Sequence, residues 1–279
     1  ILVACIFEFA GAYLSGGEVT STIRKGIIDP NILSGSPDLL IYGMLSSLLA
    51  AGLWLLIASY YGWPVSTTHS IVGAIVGFAA VGISINSVEW NKVTTIALSW
   101  VVSPLLAGTI SFLIFKSVQI LILDTDDPFA KAKKYVPGYM FLVGFVIAMV
   151  TFLKGLKHVG FDLSFQQSII FSTAFGIVIA LLGIAFLRRV ENVSKQRGDT
   201  ELDGVERVFA VLMVITACAM AFAHGSNDVA NAVGPLAAVA NIVLSGGEVT
   251  AESMMPWWIL ALGGSGIVAG LIMLGYRVI

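Results

Sequence analysis

Apolar runs of about the length needed to cross a lipid bilayer follow one another along almost the whole chain. A spanning helix needs about 20 predominantly apolar residues. Partial or complete runs of this kind lie near residues 1–17, 39–61, 93–123, 138–153, 168–187, 208–223, 229–244 and 257–276. Of all residues 57% are hydrophobic and 11% are charged, against roughly 25% charged in soluble domains. The sequence therefore predicts an all-α polytopic protein of the cell membrane (plasma or inner membrane), with the lipid bilayer as its partner.

Residues 224–235 read His-Gly-Ser-Asn-Asp-Val-Ala-Asn-Ala-Val-Gly-Pro and place strongly polar groups inside this apolar context. A carboxylate at bilayer depth costs a few kcal/mol or more, so Asp228 indicates a functional site. Gly225, with the later glycine and proline, predicts a broken helix that lines a polar cavity. The oxygens of Asp228, Asn227 and Asn231 suit an alkali cation, and N–H groups at a helix start suit an oxyanion. A polar contact between helices is the alternative.

A second polar segment, residues 62–70, leads into a helix rich in small residues. Its proline suits the first turn of a helix, and the hydroxyls of Ser66, Thr67 and Thr68 would lie at that N-terminus. Hydroxyl and N–H donors bind phosphate or sulfate without a formal positive charge, while a simple N-cap is the alternative explanation. Residues 62–85 suit a re-entrant hairpin better than a plain span, although the sequence permits either.

Glu8, His69 and His224 are three further ionisable residues, each within or beside an apolar run or polar segment. Glu8 lies midway along the first run, where a charge is a functional hypothesis by default. An interhelical hydrogen bond from a protonated carboxyl is its alternative. His69 and His224 are each predicted to donate to a backbone carbonyl rather than to transfer protons.

A weak internal repeat relates residues 6–24 to residues 259–277. At this offset Gly11 falls on Gly264, and each segment ends at an arginine. The densest basic cluster, 188–207, is expected to form a cytoplasmic loop. If the helix breaks at Gly225, the two segments have opposite orientations, as an inverted repeat requires.

We therefore expect residues 1–123 to be the second part of a first inverted repeat, with 62–85 as its re-entrant hairpin. Residues 124–207 would connect the repeats, and residues 208–279 would begin the second. Residue 1 already lies inside an apolar run and no charged segment precedes it. We expect the chain to be a piece of a longer protein.

Together these residues resemble the inorganic phosphate transporter (PiT) family of secondary carriers. The family signature Gly-Ala-Asn-Asp-Val-Ala-Asn-Ala is matched at 225–232, with Ser226 in place of alanine. The elements of the family's first repeat match Phe7-Glu8, residues 22–29 and the segment from Pro64 to His69. The resemblance implies two inverted repeats around a midplane site. One signature copy and one Pro-Ser-Thr-Thr element of the family have no match in this chain, so the chain alone is not expected to transport.

Carried over residue by residue, the resemblance also implies a binding site. The residues implied to bind the substrate are Asp228, Asn231, Ser66, Thr67 and Thr68. Those implied to hold the coupling cation are Asp228, Asn227, Asn231 and Glu8. The implied function is sodium-coupled secondary active transport of inorganic phosphate by alternating access.

Other functions stay open at this stage. Proton coupling and sulfate transport are alternatives within the family, and an anion channel is a more distant one. No catalytic motif of an enzyme occurs in the sequence, so the chain is predicted not to be an enzyme. No cofactor besides the coupling ion and no nucleic-acid partner are expected, and a homodimer is compatible with the small residues Gly73 and Gly77.

Overall fold

The computed structural model describes residues 1–26, 36–153, 163–197, 201–247 and 256–278. The elements are α1 Leu2–Gly26, α2 Pro37–Tyr61, α3 Thr67–Phe78, α4 Trp90–Val118, α5 Pro128–Leu153, α6 Phe165–Arg197, α7 Glu201–Leu244 and α8 Trp257–Val278. Wider π-helical turns, Ala79–Ile83 and Gln119–Leu123, continue α3 and α4. Within the described ranges, six helices are long and apolar enough to cross a membrane. The predicted all-α, multi-pass membrane fold is confirmed.

Helices α2 and α3 form an antiparallel hairpin. Gly62 ends α2 in the left-handed conformation, at φ 68°, which a glycine adopts without strain. Ser66 begins α3, and its Oγ accepts a hydrogen bond from the backbone N–H of His69 at 3.3 Å. The two helices then pack closely, because the Oγ of Ser47 on α2 donates to the carbonyl oxygen of Ala74 on α3 at 3.3 Å. The turn between the two helices leaves the N-terminus of α3 in contact with α7.

The second helix of this hairpin is short. Residues Thr67–Ile83 are apolar but shorter than the about 20 residues of a complete span. This length favours the re-entrant hairpin predicted for residues 62–85. Its depth in a bilayer stays a prediction.

The predicted break at Gly225 is wrong. Helix α7 is continuous from Glu201 to Leu244, so the predicted spans 208–223 and 229–244 belong to one helix. A Cβ at Gly225 would overlap the carbonyl oxygen of Glu8 on α1, and a Cβ at Gly11 would overlap that of Phe222 on α7. These glycines permit two backbones to approach each other, and this packing outweighs the low helix propensity of glycine.

The segments that the repeat offset relates, in α1 and α8, pack against each other. A Cβ at Gly264 would lie 3.0 Å from Phe9 and 3.3 Å from Ala12, and a Cβ at Gly16 would lie 3.3 Å from Leu260. Later residues of α1 thus contact earlier residues of α8, so the two helices are antiparallel where they touch. The inverted repeat itself stays a prediction.

By its contacts the chain divides into two compact units. The first takes in Ile1–Ile96 and Ala221–Ile279, and the second Ala97–Leu153 and Asp162–Met220. In the first unit, α2 and α3 share one apolar core with α7, and α1 and α8 share another with α7. In the second unit, α5 and α6 pack closely around Gly144 and Gly176. The predicted boundaries of the repeats, at residues 123 and 207, do not coincide with the boundaries of these two units, and the repeats stay a prediction.

Candidate functional site

The close approach of α1 and α7 brings Glu8 against His224. The Nδ1 of His224 lies 2.9 Å from each carboxylate oxygen of Glu8. On the other side of the ring, its Nε2 lies 3.0 Å from Oδ2 of Asp228, one turn further along α7. A carboxylate accepts hydrogen bonds and an imidazole nitrogen donates only when protonated. Two ionised carboxylates in these positions would therefore call for an imidazolium between them.

The N-terminus of α3 meets α7 at the same place. The Oγ1 of Thr67 donates to Oδ2 of Asp228 at 3.1 Å. The amide of Asn231 donates to Oγ1 of Thr67 at 3.1 Å and to Oγ1 of Thr68 at 3.2 Å. Asp228 and Asn231 are three residues apart on α7 and so share one face of the helix. Hydroxyls of α3 and polar groups of α7 thus form one hydrogen-bonded cluster.

Asp228 is the most heavily bonded member of this cluster. Its Oδ2 accepts from Thr67 and faces the Nε2 of His224. Its Oδ1 lies 3.3 Å from the amide nitrogen of Asn227 and 3.5 Å from that of Asn231. An ionised carboxylate offers about four acceptor positions, and here each of them faces a donor. The side chain is therefore held in one orientation.

A cavity of about 430 Å³ opens beside these groups, within the first unit. Its polar end consists of Glu8, Thr67, His224, Asp228 and Asn231. The rest of its wall comes mainly from α2 (Leu48, Ala51, Gly52, Leu55 and Ser59) and α8 (Ile267, Gly270 and Leu271). None of the described residues that line it is a lysine or arginine. The cavity therefore offers acceptors for a cation, and among its described lining residues only His224 can supply a positive charge for an anion.

The structure brings most of the predicted site residues together. Asp228, Asn231, Thr67 and Thr68 are in mutual contact, and Asn227 is an exposed neighbour of Asp228. Ser66 differs, because its side chain caps α3 and is exposed. The hydroxyl of Ser66 therefore acts as a simple N-cap of α3, which was the alternative to anion binding.

His224 is the residue that the sequence interpretation missed. Donation to a backbone carbonyl was expected, and instead both ring nitrogens face carboxylates. The four-residue spacing from His224 to Asp228 was a signal for half of this arrangement, since such residues are neighbours on a helix. The ring of His224 lies between the carboxylates of Glu8 and Asp228 and contacts both. Within the described residues no group of three or more His, Cys, Asp or Glu is placed to hold a metal ion, so a cation site would also need amide and hydroxyl oxygens.

An apolar helical bundle with a partly buried cluster of polar groups is typical of a polytopic membrane protein whose polar residues serve its function. The profile of the phosphate transporter family matches residues 1–279. The chain belongs to this family, as the sequence motifs indicated. Membership in a family of transporters confirms that the chain is not an enzyme.

Similar proteins carry names that agree with the family. A putative phosphate permease of Haemophilus influenzae is 50% identical over 283 residues, which cover 100% of this chain and 66% of the relative. The chloroplastic inorganic phosphate transporter 2-1 of Arabidopsis thaliana is 40% identical over 303 residues, covering 100% of this chain and 50% of the relative. A solved structure, named "The sodium-dependent phosphate transporter", superposes with a TM-score of 0.91 at 38% identity and covers 100% of this chain and 66% of that one. The chain thus spans about two thirds, or less, of the length of these relatives.

Proposed function

We propose that the full-length protein containing this chain is a sodium-coupled secondary active transporter of inorganic phosphate. The observation that carries this proposal is the contact of Thr67 and Thr68, at the start of α3, with Asp228 and Asn231 on α7. Hydroxyl and N–H donors at a helix start suit an oxyanion, and the neighbouring oxygens suit an alkali cation. The names of the relatives support phosphate as the substrate, and the similar solved structure, a sodium-dependent phosphate transporter by name, supports sodium.

The charge of the site supports coupling to a cation. A phosphate beside Asp228 and Glu8 would meet two negative charges, of which an imidazolium at His224 offsets only one, and no lysine or arginine of the described lining offsets the other. Two like charges about 4 Å apart repel by about 4 kcal/mol at the effective dielectric constant of a protein surface. A cation bound to the carboxylate and amide oxygens would remove this repulsion. Anion and cation would then bind well only together, which is what symport requires.

The donor proton of phosphate supports selection against sulfate. A phosphate monoanion can donate its proton to Oδ1 of Asp228 in place of the long 3.5 Å contact with Asn231, whereas sulfate carries no such proton at neutral pH. A site that hydrogen-bonds a particular group strongly rejects an analogue that lacks it. The proposed mechanism of transport is alternating access around this site. A homodimer, compatible with the exposed Gly73 and Gly77 of α3, is a separate proposal.

The coupling ion is tested by phosphate uptake into liposomes that contain the full-length protein. We expect an inward sodium gradient to drive accumulation of radiolabelled phosphate, while a potassium gradient of equal size gives only the background of empty liposomes. Uptake that follows an imposed pH gradient and ignores sodium would instead support proton coupling. Uptake that neither saturates nor accumulates against a gradient would support an anion channel.

Substrate choice is tested in the same liposomes by competition. Unlabelled sulfate at the concentration of the labelled phosphate is expected to leave the initial rate unchanged, whereas unlabelled phosphate lowers it. Equal inhibition by the two anions would contradict the role given to the proton of phosphate and favour a sulfate permease.

His224 is expected to support transport by holding the two carboxylates. His224→Ala removes the donor between Glu8 and Asp228, and a hydrogen bond to a charged group contributes roughly 1.5–3 kcal/mol. We expect the initial rate of uptake to fall at least about tenfold. His224→Gln keeps an amide donor and should retain more activity than alanine. Equal rates for wild type and His224→Ala would contradict this role.

A further inference from the structure

Glu8 presents unused hydrogen-bonding capacity to the cavity. It is only 8% exposed, and among the described residues its two carboxylate oxygens share one side-chain partner, the Nδ1 of His224. An ionised carboxylate offers about four acceptor positions, and a buried charge with few partners is costly. Asp228 differs, since donors already face both of its oxygens. A cationic ligand in the cavity would therefore find its acceptors at Glu8.

The remaining wall of the cavity suits an apolar chain. Leu48 and Leu55 lie on one side of α2, about two turns apart, and Leu271 lines the cavity from α8. The volume of about 430 Å³ is far larger than one small inorganic ion fills. An inorganic cation would use only the carboxylate end of this space.

We propose that the cavity binds primary alkylammonium ions, with the ammonium group on the carboxylate of Glu8 and the alkyl chain along Leu48, Leu55 and Leu271. The ammonium group supplies N–H donors and a positive charge to the under-used carboxylate, and the alkyl chain covers apolar wall. Binding of this kind does not depend on phosphate transport. The coupling cation of the proposed function would use the same carboxylate, so binding is measured without sodium, and its failure would leave the transport proposal untouched.

The test is a titration of the full-length protein, in lipid nanodiscs and sodium-free buffer, with n-alkylammonium chlorides from methyl to hexyl. We expect affinity to rise with chain length, by up to about fourfold for each methylene that is buried. Alkanols of equal length, which lack the charge, should bind at least about tenfold more weakly. If hexylammonium binds no better than methylammonium or hexanol, the proposal is wrong.

Two variants separate the two ends of the ligand. Glu8→Gln keeps the shape of the side chain and an acceptor for His224. It should lower the affinity for every alkylammonium ion by roughly ten- to a hundredfold. Gly270 lines the cavity, and a Cβ there meets no atom within 4 Å. Gly270→Leu should therefore fill apolar space in the cavity. The affinity for hexylammonium should fall at least about tenfold, and the affinity for methylammonium should stay unchanged.

Gly108→Leu is the matched control for the second variant. Gly108 lies on α4 with equally open space around its Cα and does not line the cavity, so all affinities should stay at their wild-type values. If Gly270→Leu weakens both amines equally, or neither, the placement of the alkyl chain is wrong. Unchanged binding in a folded Glu8→Gln variant would contradict the placement of the ammonium group. If Glu8→Gln does not fold, the dependence of affinity on alkyl chain length and the effect of Gly270→Leu still test the proposal.

Discussion

Asp228→Asn is expected to abolish phosphate uptake by the full-length protein. The substitution keeps the size of the side chain but removes the charge and one of the two carboxylate oxygens, of which Oδ2 faces both Thr67 and His224. A hydrogen bond to a charged group contributes roughly 1.5–3 kcal/mol, and two of them, from Thr67 and from His224, are weakened or lost, which corresponds to a loss of roughly a hundredfold or more. The measurement is the initial rate of radiolabelled phosphate uptake in liposomes under a sodium gradient.

Asp38→Asn provides the control for this variant. Asp38 lies in the first turn of α2 and does not line the cavity, so the same chemical change there should leave uptake close to the wild-type rate. A folded Asp228→Asn protein that keeps more than about a tenth of the wild-type rate would contradict the central role of this carboxylate.

Gly225→Ala is expected to destabilise the fold by about 2 kcal/mol. The added Cβ would overlap the carbonyl oxygen of Glu8, and this backbone atom cannot turn aside as a flexible side chain can. Overpacking costs about 1–3 kcal/mol and occasionally more, while alanine regains up to about 1 kcal/mol of helix propensity. The midpoint of thermal unfolding in detergent should fall by about 2–4 °C for each kcal/mol.

Gly266→Ala is the matched control on α8. A Cβ at Gly266 meets no atom within 4 Å, so this variant should unfold at the wild-type temperature or slightly above it. If the two variants unfold at the same temperature, the close contact of α1 and α7 does not stabilise the protein in the way argued above.

The sequence predicted the fold class because the thickness of a bilayer imposes a minimum length on apolar helices. The predicted runs near 39–61 and 257–276 agree closely with α2 and α8. The break at Gly225 could not be judged in this way. Glycine lowers helix propensity locally, but here α1 packs against it, and that contact depends on a residue more than two hundred positions away.

The candidate site was predictable in its residue types and less so in its contacts. Polar residues inside apolar runs pointed to Asp228 and Glu8, because charges are costly there. The pairing of Thr67 with Asp228 joins residues 161 positions apart, and no local pattern encodes it. The bridging position of His224 depends on how closely the backbones of α1 and α7 approach each other. Gly11 and Gly225 permit this approach at the crossing of the two helices, and their role can be recognised only once the helices are packed.

Helix α7 has a length that the membrane itself must accommodate. A straight helix of 44 residues would be about 66 Å long, whereas the hydrocarbon core of a bilayer is about 30 Å thick. The excess has to be taken up by tilt, by a bend such as one at Pro235, or by turns that extend into the headgroups and water. The carboxylate of Asp228 lies well inside this helix, so lipid acyl-chain length becomes a variable that acts on the depth of the site.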